Sequence, residues 1–238
     1  MLTANFDADA TILIDGVAVP VRICRSARAR NYRLTIDSVR GGVRLSLPTR
    51  ANLKRALGWA QAHEGWVRAQ MAKQPVVTIL GDGAVFPLEG REIRICWRAN
   101  APRAIRIEGD LLLVGGAAEA VGARVLRWLK ARARVVLEQE TLALAADHGL
   151  TVSSVGVGDP RSRWGSCTSG GAIRYSWRLL LCPPDVRRAT VAHELAHLLH
   201  MDHSPAFHAA HARILGVDPR PARAWLKAHG GGLHRFVG

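Results

Sequence analysis

The chain has 238 residues, of which 48% are apolar, enough for one large or two small packed cores and too many for wholesale disorder. No run approaches the ~18 uncharged apolar residues of a membrane span. The start of the chain carries Asp7, Asp9 and Asp15 rather than basic residues, so it does not read as a signal peptide, and the four scattered cysteines (Cys24, Cys96, Cys167, Cys182) form no CxxC pair. A reduced, cytoplasmic protein with no membrane partner is expected. Lys+Arg 33 against Asp+Glu 19 gives +14, nearly all of it arginine and spread along the chain. Such a field favours DNA or another polyanion as a partner, unless it reflects composition alone.

In chain order, short β-branched or alternating runs predict strands at Ala10–Ile14, Val17–Cys24, Tyr32–Ile36 and Val43–Leu47, with turns at Asp15-Gly16 and Gly41-Gly42. A helix follows, with Thr49 as its expected N-cap and Pro75 as its stop. Five more strands are expected at Val76–Leu80, Ala84–Leu88, Glu92–Trp97, Ala104–Glu108 and Leu111–Val114, before Gly115-Gly116 breaks the pattern. From Ala117 to His148 the apolar positions fit one long amphipathic helix that ends at Gly149. A strand near Val152–Val157, a hairpin from Ser162 to Trp177 and helices at Pro184–His200, Pro205–Leu215 and Pro219–His229 complete the chain. This is an α+β pattern: a β-rich N-terminal domain, 1–115, and a second domain, 116–238, with a long helix and a small antiparallel sheet.

The chemistry concentrates at His193-Glu194-Leu195-Ala196-His197, an HExxH motif inside an apolar helical context. Residues four apart lie about 40° apart and one turn along a helix, so both imidazoles reach one metal. Glu194, rotated by about 100° from His193, is placed to hold a water beside that metal and to accept its proton. A mononuclear catalytic site needs a third protein ligand. Continued helix would carry His203 to the wrong face, but Asp202 and Ser204-Pro205 offer a break that turns it back. The five-residue gap between His197 and His203 is also the metzincin spacing, although that group has glycine where this chain has His200.

Around this core, Arg163, Tyr175 and His208 are candidate donors to an oxyanion or substrate, each with a plainer alternative as an ion pair, a strand residue or a helix-surface residue. Asp202 or Asp185 can orient a ligand imidazole, with capping the expected role for Asp185. His200, His208 and His211 read as helix-surface residues or as supports behind the ligands. Trp164 is expected to pack the hairpin onto the HExxH helix. Cys167 is expected to be a free thiol, with zinc ligation as its alternative. The hairpin is positioned to offer a strand edge to an extended peptide.

Arg163-Trp164-Gly165-Ser166-Cys167, Trp177-Arg178-Leu179, the HExxH stretch through Leu198, and His203-Ser204-Pro205 with Phe207 together resemble the YgjP-like metal-dependent hydrolases. These are gluzincin-like metallopeptidases similar in their core to SprT and Spartan proteases. The resemblance extends to Arg25–Arg30 and Gly41–Leu45. It implies a zincin-like C-terminal domain, Zn2+ on His193, His197 and His203, Glu194 as catalytic base, and a peptide or protein substrate. Relatives usually carry tryptophan where this chain has His208. Two other functions stay open at this point. One is a metal-dependent nucleotide pyrophosphatase or phosphohydrolase, suggested by the arginine content. The other is a binding module with structural zinc, which needs a fourth ligand such as His200 or Cys167.

Overall fold

A computed structural model describes residues 6–37, 42–72 and 77–238. The chain forms two compact units, Met1–Val77 and Thr78–Gly238. In the first, β1 (Phe6–Ile14), β2 (Val17–Ser26), β3 (Arg33–Ile36) and β4 (Val43–Pro48) form a sheet in the order β1-β2-β4-β3. The β1–β2 turn takes positive φ at both Asp15 (50°) and Gly16 (78°), as a tight two-residue hairpin turn demands. Alternate strand residues Val21, Ile23, Leu45 and Leu47 face Ala56, Ala60 and Val67 of the helices in one core.

The single helix expected after Pro48 is two helices, α1 (Leu53–Ala62) and α2 (Glu64–Ala72), broken at His63. Asn52, not Thr49, caps α1, its side chain accepting from the Arg55 amide at 3.1 Å. Pro75, Val76 and Gly41, which figure in the expected stop, strand and turn, lie outside the described residues.

The second unit starts with β5 (Thr78–Ile79), then β6 (Val85–Leu88), β7 (Arg91–Trp97), β8 (Arg106–Glu108) and β9 (Leu111–Val114), a sheet ordered β6-β7-β9-β8. The long helix α3 (Val121–Asp147) follows and ends where predicted, at Gly149 with φ 63°. Then come β10 (Ser154–Gly158), β11 (Gly165–Cys167), β12 (Ala172–Ser176), α4 (Pro184–Ala196), α5 (Pro205–Leu215), α6 (Arg220–His229) and β13 (Phe236–Val237), which pairs in parallel with β5.

Two expectations need correction. The small sheet is mixed: β12 is its centre, antiparallel to β11 and parallel to β10. The units also meet at residue 77 rather than at Gly115, because the β6–β9 sheet has no core of its own. Phe86, Ile93, Ile95 and Leu112 belong to the same buried cluster as Leu129 and Leu137 of α3 and Leu195 of α4.

Arg178 ties the end of the chain to this unit. Buried to 5% exposure, it donates to Asp159 Oδ1 at 3.0 Å and to the carbonyls of Leu233 and Phe236 at 2.8 and 3.0 Å. Burying its charge is tolerable because each contact is a charge-assisted hydrogen bond. Among the described residues no helix is long and apolar enough to cross a membrane.

Candidate metal centre

His193 and Glu194 sit on the last turn of α4, and His197 is its C-cap. Pro183 and Pro184 pre-set the backbone at its start, and Asp185 lies in its first turn, favourable to the helix dipole but making no side-chain cap. Val191, Ala192, Leu195 and Ala196 are fully buried and fix the rotation of the helix, which leaves His193 and His197 half-buried on another side. The helix stops at Ala196, a turn sooner than the predicted His200. The chain then reverses. Asp202 Oδ1 accepts from the Ser204 amide at 3.2 Å, and Ser204 Oγ accepts from the Phe207 amide at 3.4 Å, starting α5 with Pro205 in its first turn. Asp202 thus shapes the turn and does not orient an imidazole.

The reversal carries His203 back to the HExxH pair. Its Nε2 lies 3.3 Å from His193 Nε2, and its ring centroid is 4.8 Å from that of His197. One ligand nitrogen from each of the three lies within 4.8 Å of the others. Tetrahedral ligands at 2.0–2.1 Å from zinc stand roughly 3.3–3.4 Å apart; the His193–His203 pair already has that spacing, and the trio as a whole lies within reach of a single ion. The protonation states fit as well. Burial, helped by the neighbouring imidazoles, pushes His193 down to about 3, and burial also lowers His197, so both rings are neutral near pH 7. His197 Nδ1 is 3.1 Å from the His200 carbonyl, which can only accept, so Nδ1 carries the proton and Nε2 keeps its lone pair. Phe207, fully buried, lies under all three rings with centroids at 4.9, 4.5 and 4.7 Å from His193, His197 and His203.

Glu194 is 4% exposed, and no hydrogen bond to its carboxylate occurs among the described residues. Burial pushes its carboxyl up to about 7, against the pull of the Arg163 guanidinium. The hairpin makes room for it. A Cβ on Gly165 would stand 2.4 Å from Glu194 Oε1, so the strand passes the carboxylate only as glycine. Beside His193 and Glu194 opens a cavity of about 250 Å³, walled by Trp164, Ala189, Pro219, Ala222 and Leu226 and bearing Arg163, Arg223 and His211.

The YgjP-like metallopeptidase domain model matches residues 30–229. The chain belongs to the YgjP-like family of metallopeptidases. No curated protein matches it. A solved metallopeptidase zymogen, abylysin of Pyrococcus abyssi, aligns with 17% identity over 38% of this chain and 93% of its own, with a TM-score of 0.35. That likeness is too low to carry an argument. Family membership implies a metal ion, and the three-histidine group is where this metallopeptidase can hold one.

Of the predicted donors, only Arg163 lines the cavity. Tyr175 is fully buried on β12, where its hydroxyl shares a 3.1 Å hydrogen bond with Thr141 Oγ1; burial raises its phenol, and it is a core residue. His208 is exposed, its ring 6.5 Å from that of His203. Cys167 lies outside the ligand trio, and burial together with the charge of Glu194 raises its thiol, opposing a thiolate. Ser166 is half-buried beside it on β11. Trp164 shares the cavity wall with Ala189 of α4 and also meets the end of the chain: a Cβ on Gly230 would meet its ring at 2.6 Å, and His234 tilts against it at 5.8 Å.

His211 takes the second of its two expected places, behind a candidate ligand. It is 4% exposed, not on a helix surface. Its Nε2 lies 3.0 Å from the Ala189 carbonyl, its Nδ1 is buried without a partner among the described residues, and its ring stands nearly perpendicular to His193 at 5.2 Å. The signal was present: Phe207, Ala210, His211 and Ile214 follow the i, i+3, i+4, i+7 spacing of a buried helix face.

Proposed function

We propose that the chain is a zinc-dependent peptidase in which His193, His197 and His203 hold the metal and Glu194 is the general base. One observation carries this reading: three imidazoles converge within 4.8 Å, next to a buried carboxylate that has no hydrogen-bonded partner among the described residues. Imidazole nitrogen donors in a set of three suit zinc and leave a coordination position free for chemistry. The metal would supply Lewis acidity, acidifying water and polarising the scissile carbonyl.

The protein groups do the rest. Glu194 takes a proton from the attacking water and returns it to the departing amine, a role favoured by a carboxyl poised near neutral pH. Arg163 lies close enough to act electrostatically on Glu194 and is the candidate donor to the developing oxyanion. β11 is an edge strand of its sheet, and an extended peptide can pair along it beside Glu194. The other strand of the hairpin, β12, is central in the sheet, so β11 supplies the hairpin's edge.

The phosphohydrolase reading gains nothing from the site. The metal-ligating group among the described residues is three imidazoles with no carboxylate, unlike the acidic clusters that hold two catalytic metals. The test is cleavage of labelled casein by the zinc-loaded protein, by the chelated protein and by Glu194→Gln, with nucleoside triphosphates run in parallel. New peptide termini produced only by the zinc-loaded wild type support the proposal. Phosphate release without peptide cleavage refutes it. Adding single-stranded DNA to the same assay checks whether the +14 charge bears on activity.

A further inference from the structure

The cavity beside the HExxH helix has an uneven chemistry. Trp164, Ala189, Pro219, Ala222 and Leu226 make it largely apolar, and its volume of about 250 Å³ admits a substrate side chain. Its charged groups besides Glu194 are two guanidiniums, Arg163 from the hairpin and Arg223 from α6. Neither has a salt bridge or a side-chain hydrogen bond among the described residues, in contrast to Arg68, Arg132, Arg178, Arg187 and Arg220, each of which faces a carboxylate at 3.1 Å or less. Both line the recess from opposite elements. Two unpaired cations against one partner-less carboxylate leave an excess of positive charge in a mostly apolar recess. Such a recess favours an anion carried on a short aliphatic stem.

We infer that this cavity binds a carboxylate of the substrate next to the scissile bond, held between Arg163 and Arg223. This deepens the peptidase reading and rests on it, since the cavity opens beside Glu194 and His193. Guanidiniums match a carboxylate in geometry as well as charge, because each presents a planar fork of donors. The aliphatic part of a glutamate lies along Ala222 and Leu226, and lysine or arginine is repelled. A glutamate side chain and a free C-terminal carboxylate share this chemistry.

Four matched fluorogenic peptides bearing Glu, Gln, Ala or Lys on either side of the scissile bond, each as C-terminal acid and amide, read the preference. In the zinc-loaded wild type, kcat/KM for Glu exceeds that for Gln by about tenfold, roughly one charge-assisted contact. The ratio shrinks as salt is raised. An advantage of acid over amide when the side chain is neutral assigns the carboxylate to the chain end; an advantage of internal Glu in both forms assigns it to the side chain. In Arg223→Glu the Glu-to-Lys ratio inverts, a comparison made within one protein and so insensitive to its overall activity. Equal rates for Glu and Gln overturn the inference, as does a preference for Gln, which would give the cavity to the bare His211 acceptor.

Binding of the same labelled peptides to Glu194→Gln, read by fluorescence anisotropy, separates the two layers of argument. Acidic peptides bound selectively but never cleaved by wild type sink the peptidase reading and leave the cavity assignment standing. Cleavage without an acidic preference does the reverse.

Discussion

Two buried charges two turns apart on α4 have opposite surroundings. Arg187 is 4% exposed and donates three hydrogen bonds to Glu140, from Nε to both carboxylate oxygens at 3.0 Å and from Nη2 to Oε1 at 2.6 Å. Its Nη1 faces Glu89 at 3.9 Å, and Glu89 in turn pairs with Arg132. Glu194 is equally buried and has no hydrogen-bonded partner among the described residues. Arg187 fastens α4 to α3, so its charge is spent on structure. Glu194 keeps its affinity for a proton, and burial moves that affinity towards neutral pH. One helix thus carries an anchoring end and a reactive end, and pairing is what distinguishes them.

Breaking the anchor is expected to have the largest effect on folding. Arg187→Ala leaves Glu140 at a half-buried site without its partner and should destabilise the protein by about 3 kcal/mol or more. Denaturant unfolding of the metal-free protein reads it. A loss under about 1 kcal/mol would mean that the network is ornamental.

Crowding the reactive end is expected to leave stability less affected and chemistry more so. Gly165→Ala places a methyl in the space of Glu194 Oε1, 2.4 Å away. Displacing a catalytic group by about 1 Å reduces turnover by roughly 10²-fold. Metal content should remain at one per chain, since none of the three histidines is touched. Wild-type turnover in this variant would show that Glu194 has room to move away from β11.

The smallest effect sharpens the contrast through pH. The Glu194 carboxyl is raised from 4.5 to about 7 in the folded metal-free protein. Unfolding therefore releases a proton between those values, so Glu194 penalises the folded state fully above pH 7 and not at all below pH 4.5. Glu194→Gln should raise the melting temperature of the metal-free protein by about 5 °C at pH 8, with the gain vanishing by pH 4.5. A pH-independent gain would point to packing instead. His193 adds an opposite dependence: pushed down to about 3 from 6.5, it favours the folded state above pH 6.5 and loses that contribution as pH falls towards 3.

Much of this was legible in the chain. HExxH points to two candidate ligands and a candidate base by helical geometry, and Ser204-Pro205 announces the second helix whose start returns His203. The hairpin with Gly170-Gly171 at its tip was readable from its turn residues. Other features depended on contacts between distant segments. Nothing local marks Gly165 as the neighbour of Glu194, 29 residues later, or shows that Tyr175 turns to Thr141 in the core rather than to the site. The division at Gly115 failed because a glycine pair reports a local break, whereas a unit boundary is set by which apolar faces share a core. Phe207 appeared only as part of a motif, although it is the surface on which the three imidazoles rest.

The most direct test of the account is one comparison: peptide hydrolysis by wild type and Glu194→Gln at equal, measured zinc content. The account predicts that Glu194→Gln binds one zinc per chain and hydrolyses about 10³-fold more slowly or worse. A Glu194→Gln protein that retains its metal and cleaves at the wild-type rate would contradict it.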